Sequence, residues 1–147
     1  MELKVEVVDW AQQNGELMRI RQAVFVEEQG VPAELEHDEH DSSALHLLAR
    51  LDAGEPVATA RLVRGGHIGR MAVLAPWRGL GIGSALLREL VRLAAAAGYR
   101  EVYLHAQCQA EDFYRRLGFV AQGPVFEDAG IPHRRMVRTL TATSNAG

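Results

Sequence analysis

Two stretches of this 147-residue chain combine residue types and spacings suited to chemistry. The first is Arg78-Gly79-Leu80-Gly81-Ile82-Gly83-Ser84. It follows an apolar run after Arg70 that Pro76 stops, and it precedes a run in which Leu86, Leu87, Leu90, Val91, Leu93 and Ala94 recur at helical spacing. That pattern reads as a buried strand, a glycine-rich turn and a long helix starting near Gly81. Glycines let backbone approach a ligand with no Cβ in the way. The unpaired N–H groups of the first helical turn, with the helix dipole behind them, then favour an anion such as phosphate or pyrophosphate. The second stretch is Gln107 to Phe119, where Ala110, Phe113, Tyr114 and Leu117 share one side of a short helix that Gly118 ends. Phe113 and Phe119 read as core aromatics. Tyr114 adds a phenol that can give up a proton.

Three phosphate-binding patterns compete for the turn. A P-loop needs Lys and then Ser or Thr after its last glycine, whereas Gly83 is followed by Ser84-Ala85. A dinucleotide fingerprint would put Ser84 in its third glycine place and needs an acidic residue ending the next strand, which Val102-Tyr103-Leu104-His105-Ala106 does not offer. The third pattern, Arg/Gln-x-x-Gly-x-Gly/Ala, fits Arg78 to Gly83 and resembles the acetyl-CoA turn of the GNAT acetyltransferases. Ala110-x-x-x-Tyr114-x-x-x-Gly118-Phe119 resembles a second motif of that family, in which the tyrosine hydroxyl lies near the CoA sulfur. A phenol of pKa about 10 suits protonation of a departing thiolate.

The resemblance narrows to the small ElaA-like branch through Val24 to Gln29, Ile68-Gly69-Arg70, Ala106-Gln107, Gly130 to Met136, and Pro32 with Glu36, Asp38 and Asp41. It implies an α/β (α+β) GNAT fold: a mixed, mostly antiparallel sheet, splayed at the acetyl-CoA cleft, with helices on both faces. It further implies transfer of acetyl from acetyl-CoA to a primary amine of a small molecule or peptide. The backbone of Met71, Ala72 and Val73 would pair with pantetheine, and Gly79, Leu80, Gly81, Ile82, Gly83 and Ser84 would cradle the pyrophosphate. Arg78 would add charge there. Gln107 stands where many members carry an asparagine that bonds the pantetheine arm. Tyr114 would be the acid. A catalytically weak acyl-CoA sensor is the alternative, against which the presence of Tyr114 argues.

An ammonium must lose a proton before it attacks. Glu28, His105, His133 and the pair Asp38/Asp41 are the candidate acceptors. The resemblance favours Glu28, because the end of the first helix borders the acceptor pocket in this fold. The segment Glu34 to Asp41, dense in carboxylates and imidazoles, reads as a solvated acidic loop at the mouth of the site that attracts a cationic acceptor. Its neighbouring side chains do not have metal-site spacing, so no metal is expected.

The positioning elements follow from pattern. Leu3 to Val7 alternates as a first strand. Asn14 would cap a helix reaching about Gln29, with Leu17, Ile20, Val24 and Phe25 inward. Ala44–Leu51 and Pro56–Val63 form an antiparallel pair around Asp52-Ala53-Gly54-Glu55, and Glu101 to Ala106 is the strand after the long helix. His133 falls in a late loop. Residues 1–140 read as one domain and 141–147 as a tail. A net charge of −3 gives no reason to bind nucleic acid or anionic membrane. The single cysteine, Cys108, reads as a small filler and excludes an internal disulfide. With no leader and no apolar run near the ~20 residues of a membrane span, a cytoplasmic place is expected. A homodimer is compatible with this reading.

Overall fold

The computed structural model describes residues 2–33 and 38–140. In chain order they form β1 (Leu3–Val8), α1 (Trp10–Arg21), a π-helical continuation (Gln22–Glu28), β2 (Leu45–Leu51), β3 (Pro56–Val63) and β4 (His67–Val73). A 3₁₀ turn (Ala75–Trp77) leads to α2 (Ile82–Ala96), β5 (Glu101–Gln107), a second 3₁₀ turn (Cys108–Ala110) and α3 (Glu111–Arg116). Short β6 (Val120–Ala121) and β7 (Phe126–Asp128) precede the long β8 (Ile131–Thr139). The eight strands make one sheet in the order β1-β2-β3-β4-β5-β8-β6, with β7 also on β8. Every neighbouring pair is antiparallel except β4 with β5.

Strand alternation decides which helix covers which face. Leu47 and Leu48 are adjacent and fully buried, yet Leu47 packs with Leu86, Leu87 and Leu90 of α2 while Leu48 packs with Leu17, Ile20 and Val24. Helices thus lie on both faces, and β3, in the middle, is buried at every position. The long helix turns its Leu86, Leu90 and Ala94 stripe inward and leaves Arg88 and Arg92 exposed, as its periodicity requires.

The first helix starts earlier than its expected cap. Asp9, not Asn14, caps it, accepting from the Ala11 N–H at 3.4 Å. Gln13 has non-helical angles (φ −125°, ψ 21°) that kink the next turn, and the Asn14 amide donates back to the Trp10 carbonyl at 3.0 Å. An asparagine just past a kink can satisfy a freed carbonyl, which sequence spacing alone does not distinguish from a cap.

β4 and β5 share only the pair His67–Tyr103, reinforced by the Tyr103 N–H donating to the Gly66 carbonyl at 2.9 Å. Beyond it they part. The cause lies in β4 itself. Its register on β3 shifts between Thr59 and Arg61, and Arg70 adopts φ 49°. An irregularity of this kind bends a strand and ends its pairing on one side.

The acidic loop is solvated only in part: Glu39 and His40 are exposed, but Asp38 is half-buried and Asp41 is inside. Asp41 is fully buried, bonded by Arg21 Nη1 at 2.8 Å and Nη2 at 3.1 Å and by Arg61 Nη1 at 2.9 Å. Asp38 accepts from Arg61 at 2.8 Å and from Arg70 at 3.1 Å. These carboxylates therefore hold α1, β3 and β4 together instead of attracting a cationic acceptor; Glu34 to His37 lie outside the described residues. Burial by itself would raise the Asp41 carboxyl, but the hydrogen bonds and charges of Arg21, then Arg61, outweigh it and hold it down at about 2. A carboxyl depressed from an unfolded value of ~3.9 stabilises the fold fully above that pH and stops doing so as pH falls through the folded value. The denaturation midpoint should therefore decline between about pH 4 and pH 2. At pH 7, Asp41→Asn should cost about 3–5 kcal/mol in chemical denaturation, because two buried guanidiniums each lose a carboxylate they share. An unchanged midpoint would show that the cluster adds no stability.

Candidate active site

The glycine turn sits at the mouth of the strand gap. Gly79 and Gly81 both take left-handed angles, φ 81° and 83°, which L side chains rarely adopt. Gly81 is the N-cap of α2, and no side chain caps the helix, so the backbone N–H groups of its first turn have no side-chain partner. Gly83 faces inward, where an added Cβ would meet Phe113 at 3.7 Å and Val73 at 3.9 Å.

The free edge of β4 runs from this turn into the gap. Leu74 N–H donates back to Val57 on β3 at 2.9 Å, whereas the Val73 carbonyl looks the other way and accepts from Arg78 Nε at 2.8 Å. Antiparallel alternation puts the Met71 backbone on the same, gap-facing side, and that of Ala72 toward β3. Arg78 also grips Glu28 with two short bonds, 2.6 and 2.7 Å, which lower the Glu28 carboxyl and raise the guanidinium. Both partners are largely exposed.

Between the parted strands lies a cavity of about 390 Å³. Met71 and Gly69 of β4, His105 and Gln107 of β5, His133 of β8, and Tyr114 of α3 all reach its wall. Burial pushes the Tyr114 phenol up to about 12, and its hydroxyl has no hydrogen-bond partner among the described residues. The edges of Phe113 and Phe119 abut its ring, with centroids 5.0 and 6.1 Å away. Gln107 is already engaged: its amide nitrogen donates to Gln29 at 3.0 Å and its oxygen accepts from Gln109 at 2.6 Å. One wall is imidazole-rich. His67 stacks flat on Tyr103 (4.7 Å, 3°) and lies 4.9 Å from His105. Arg135 covers the other side of this group, 4.0 Å from the Tyr103 ring.

A glycine turn at a helix start, a strand edge left open beside it and a half-buried tyrosine on the cavity wall form one combination. Comparison with known proteins supplies the family. Residues 8–140 match the family model described as acetyltransferase (GNAT) domain. The chain belongs to the GNAT family. Among relatives, the uncharacterized N-acetyltransferase YjcF of Bacillus subtilis is 38% identical over 123 residues, covering 81% of this chain and 87% of YjcF. Protein ElaA of Escherichia coli is 32% identical over 132 residues, 84% of this chain and 86% of ElaA. The ElaA crystal structure superposes with a TM-score of 0.83 over 93% of this chain and 99% of that one. An acyl-CoA N-acyltransferase from Pseudomonas aeruginosa also superposes with a TM-score of 0.83, at 31% identity over 94% of this chain and all of that structure.

Against this GNAT frame the expected residues fall into two groups. Met71, Ala72, Val73 and Arg78 to Ser84 lie along one edge and its turn, and Tyr114 and Gln107 reach the same gap. Glu28 does not join Tyr114 on the cavity wall; its carboxylate faces Arg78, so as placed it serves the turn. Among the described residues no group of three or more His, Cys, Asp or Glu is set to hold a metal ion, and no helix is long and apolar enough to cross a membrane. Cys108 is free, and burial followed by the Glu111 charge raises its thiol, the opposite of an activated nucleophile. Sequence reading missed His67 and Asp128 on the wall. Neither stands in a motif; only the register of β4 on β5 and the β7–β8 hairpin bring them in.

Burial, then the charges of His105, Arg61, Arg70 and Arg135, lowers His67 to about 4. NMR titration should accordingly place the His67 ring near pH 4, not near the ordinary ~6.5. Because the unfolded chain takes this proton first, His67 should also subtract stability as pH falls from about 6.5 toward 4. A midpoint near 6.5 would mean that the ring is open to water.

Proposed function

We propose that this protein transfers the acetyl group of acetyl-CoA directly to a primary amine of a small molecule or peptide. The observation that carries this is the single continuous edge of β4. One end lies in the cavity with Tyr114, and the other reaches the glycine turn at the start of α2. A strand-like pantetheine arm can pair with the gap-facing backbone of Met71 and Val73, as peptides add to sheet edges. The N–H groups of Gly79 to Ser84 then receive the pyrophosphate. The positive φ angles of Gly79 and Gly81, with open space where a Cβ would stand, fit close approach of an anion to backbone.

The chemistry then follows. A neutral amine attacks the thioester carbonyl carbon, the tetrahedral adduct loses a proton from nitrogen, and the C–S bond breaks. Tyr114 protonates the departing thiolate and recovers its proton from water. With its pKa at about 12, the phenol is fully protonated at neutral pH, ready to donate and unable to act as a base. Gln107, held between Gln29 and Gln109, can still offer pantetheine the second hydrogen of its amide and a second lone pair on its oxygen. The single domain of residues 1–140 would act in the cytoplasm, where acetyl-CoA is at hand. A catalytically weak acyl-CoA sensor would bind the same ligand without turnover, and thiol release in the presence of amines separates the two.

Gly81→Glu places a carboxylate where the pyrophosphate should lie and should weaken CoA binding by several kcal/mol in calorimetry. Gly81→Ala carries the same backbone strain, about 1–2 kcal/mol, without the charge, and should keep most of the affinity. Equal affinities for the two variants would remove the anion from this turn. Tyr114→Phe should lower kcat by roughly 10²–10⁴-fold with little change in acetyl-CoA affinity. A kcat equal to that of the unaltered protein would leave Tyr114 as a packing residue.

A further inference from the structure

Three imidazoles line the cavity, and they are not equivalent. His67 is stacked flat on Tyr103, and among the described residues neither it nor His105 has a ring nitrogen held by a hydrogen bond. His133 does. Its Nδ1 lies 2.7 Å from the Ile131 carbonyl oxygen, two residues back on the same strand. A carbonyl oxygen can only accept, so this bond requires the proton on Nδ1. The neutral ring is then left with a bare lone pair on Nε2. That is the tautomer less common for histidine in water, and here the backbone selects it.

The ring is also fixed in orientation. His133 is only 9% exposed, pairs across from Gln107 on β5 and stacks on Phe126 with centroids 6.0 Å apart. We propose that His133 Nε2 is the general base that takes the proton from the attacking amine. The assignment rests on the acetyl-transfer reading above. Glu28, the competing carboxylate, is bonded at both oxygens by Arg78 and lies off the cavity wall, whereas His133 and Tyr114 share that wall. Acid and base thus come from separate elements, α3 and β8, that line the same cavity.

The proton balance closes. The amine enters neutral, its ammonium proton having gone to solvent, and its lone pair bonds to the thioester carbon. The cationic nitrogen of the adduct gives a proton to His133 Nε2, the C–S bond breaks, and Tyr114 gives its proton to sulfur. The imidazolium returns its proton through water to the Tyr114 phenolate, so the ammonium proton lost at the outset is the one proton released per amide formed. The charged and titratable groups around His133 are His105 on β5, Asp128 at the end of β7, Arg135 on its own strand and Tyr114 on α3.

Two measurements test this. Nitrogen-15 NMR of the intact protein should show the neutral His133 ring protonated at Nδ1 and bare at Nε2; the opposite tautomer would overturn the proposal. The second follows thiol release from acetyl-CoA with methylamine, glucosamine, spermidine and a lysine peptide as acceptors. His133→Asn keeps an N–H where Nδ1 stands, so the Ile131 bond and the fold survive, but no base remains. It should lose roughly 10²–10⁴-fold in kcat/KM together with the acidic limb of the pH profile. Glu28→Gln should retain that limb. A His133→Asn variant with the full rate and limb overturns the base assignment while leaving the transferase reading intact. No thiol release with any of the four amines would overturn the transferase reading, and the assignment with it.

Discussion

The parting of β4 from β5 after one residue pair is the constraint on which the site depends. Two parallel strands joined along their length would leave neither an edge for a ligand nor a cavity between them. Here β4 is anchored to β3 on one side, and its other side opens from Ile68 onward. The bend has a local origin in the irregular register opposite Arg61 and the positive φ of Arg70. Such a backbone conformation costs of order 1–3 kcal/mol and persists only where its surroundings enforce it. The enforcement is visible. Arg70 is bonded to Asp38, Asp38 to Arg61, and Arg61 to Asp41, which also takes Arg21 from α1. The loop that carries both aspartates thereby secures the bent strand to the helix beneath it.

This also explains which parts of the sequence were misleading. Asp38 and Asp41 sit among Glu39, His40 and other polar residues, a pattern that reads as solvated surface. Their partners, Arg21, Arg61 and Arg70, lie 20 to 32 residues away along the chain, on three different elements. Local composition cannot register a charge pair of that kind. The glycine turn was legible for the opposite reason. Its function depends on backbone freedom and on a helix start, both written within Arg78 to Leu90, and the turn, Gly81 cap and α2 all fall where the pattern puts them.

β8 shows the same limit differently. Ile131 to Thr139 contains Pro132, His133 and three arginines, and only His133 and Met136 are buried. No two-residue alternation survives, so the segment read as a loop. The arginines are nevertheless spent on packing and backbone. Arg134 donates to the Gly123 carbonyl, Arg138 to the Leu117 carbonyl, and Arg135 lies over Tyr103. Long side chains of this type cover apolar surface with their stems while keeping the charge wet, which hides a strand from a hydrophobicity pattern. The cost was a wrong setting for His133. In a loop it is one imidazole among several. On a strand opposite Gln107 it is part of the cavity wall, with one nitrogen committed to its own backbone.

Arg78 joins the two halves of the site with one guanidinium. Its Nε occupies the Val73 carbonyl, and its two terminal nitrogens occupy Glu28 at the end of the π-helical segment. A ligand amide that donates to the Val73 carbonyl, as a strand would, competes with Nε for it. The planar guanidinium cannot leave that carbonyl while keeping both bonds to Glu28 in their present geometry, because all three nitrogens belong to one rigid fork. Filling the β4 edge therefore disturbs the Glu28 pair, and through it the helix end that carries Phe25 and Gln29 into the cavity wall. The exposed setting of the pair makes this inexpensive, since surface ion pairs are worth about 0–1 kcal/mol. A tight buried pair at the same place would resist the ligand. A weak exposed one keeps Val73 bonded in the empty edge and yields when a strand arrives.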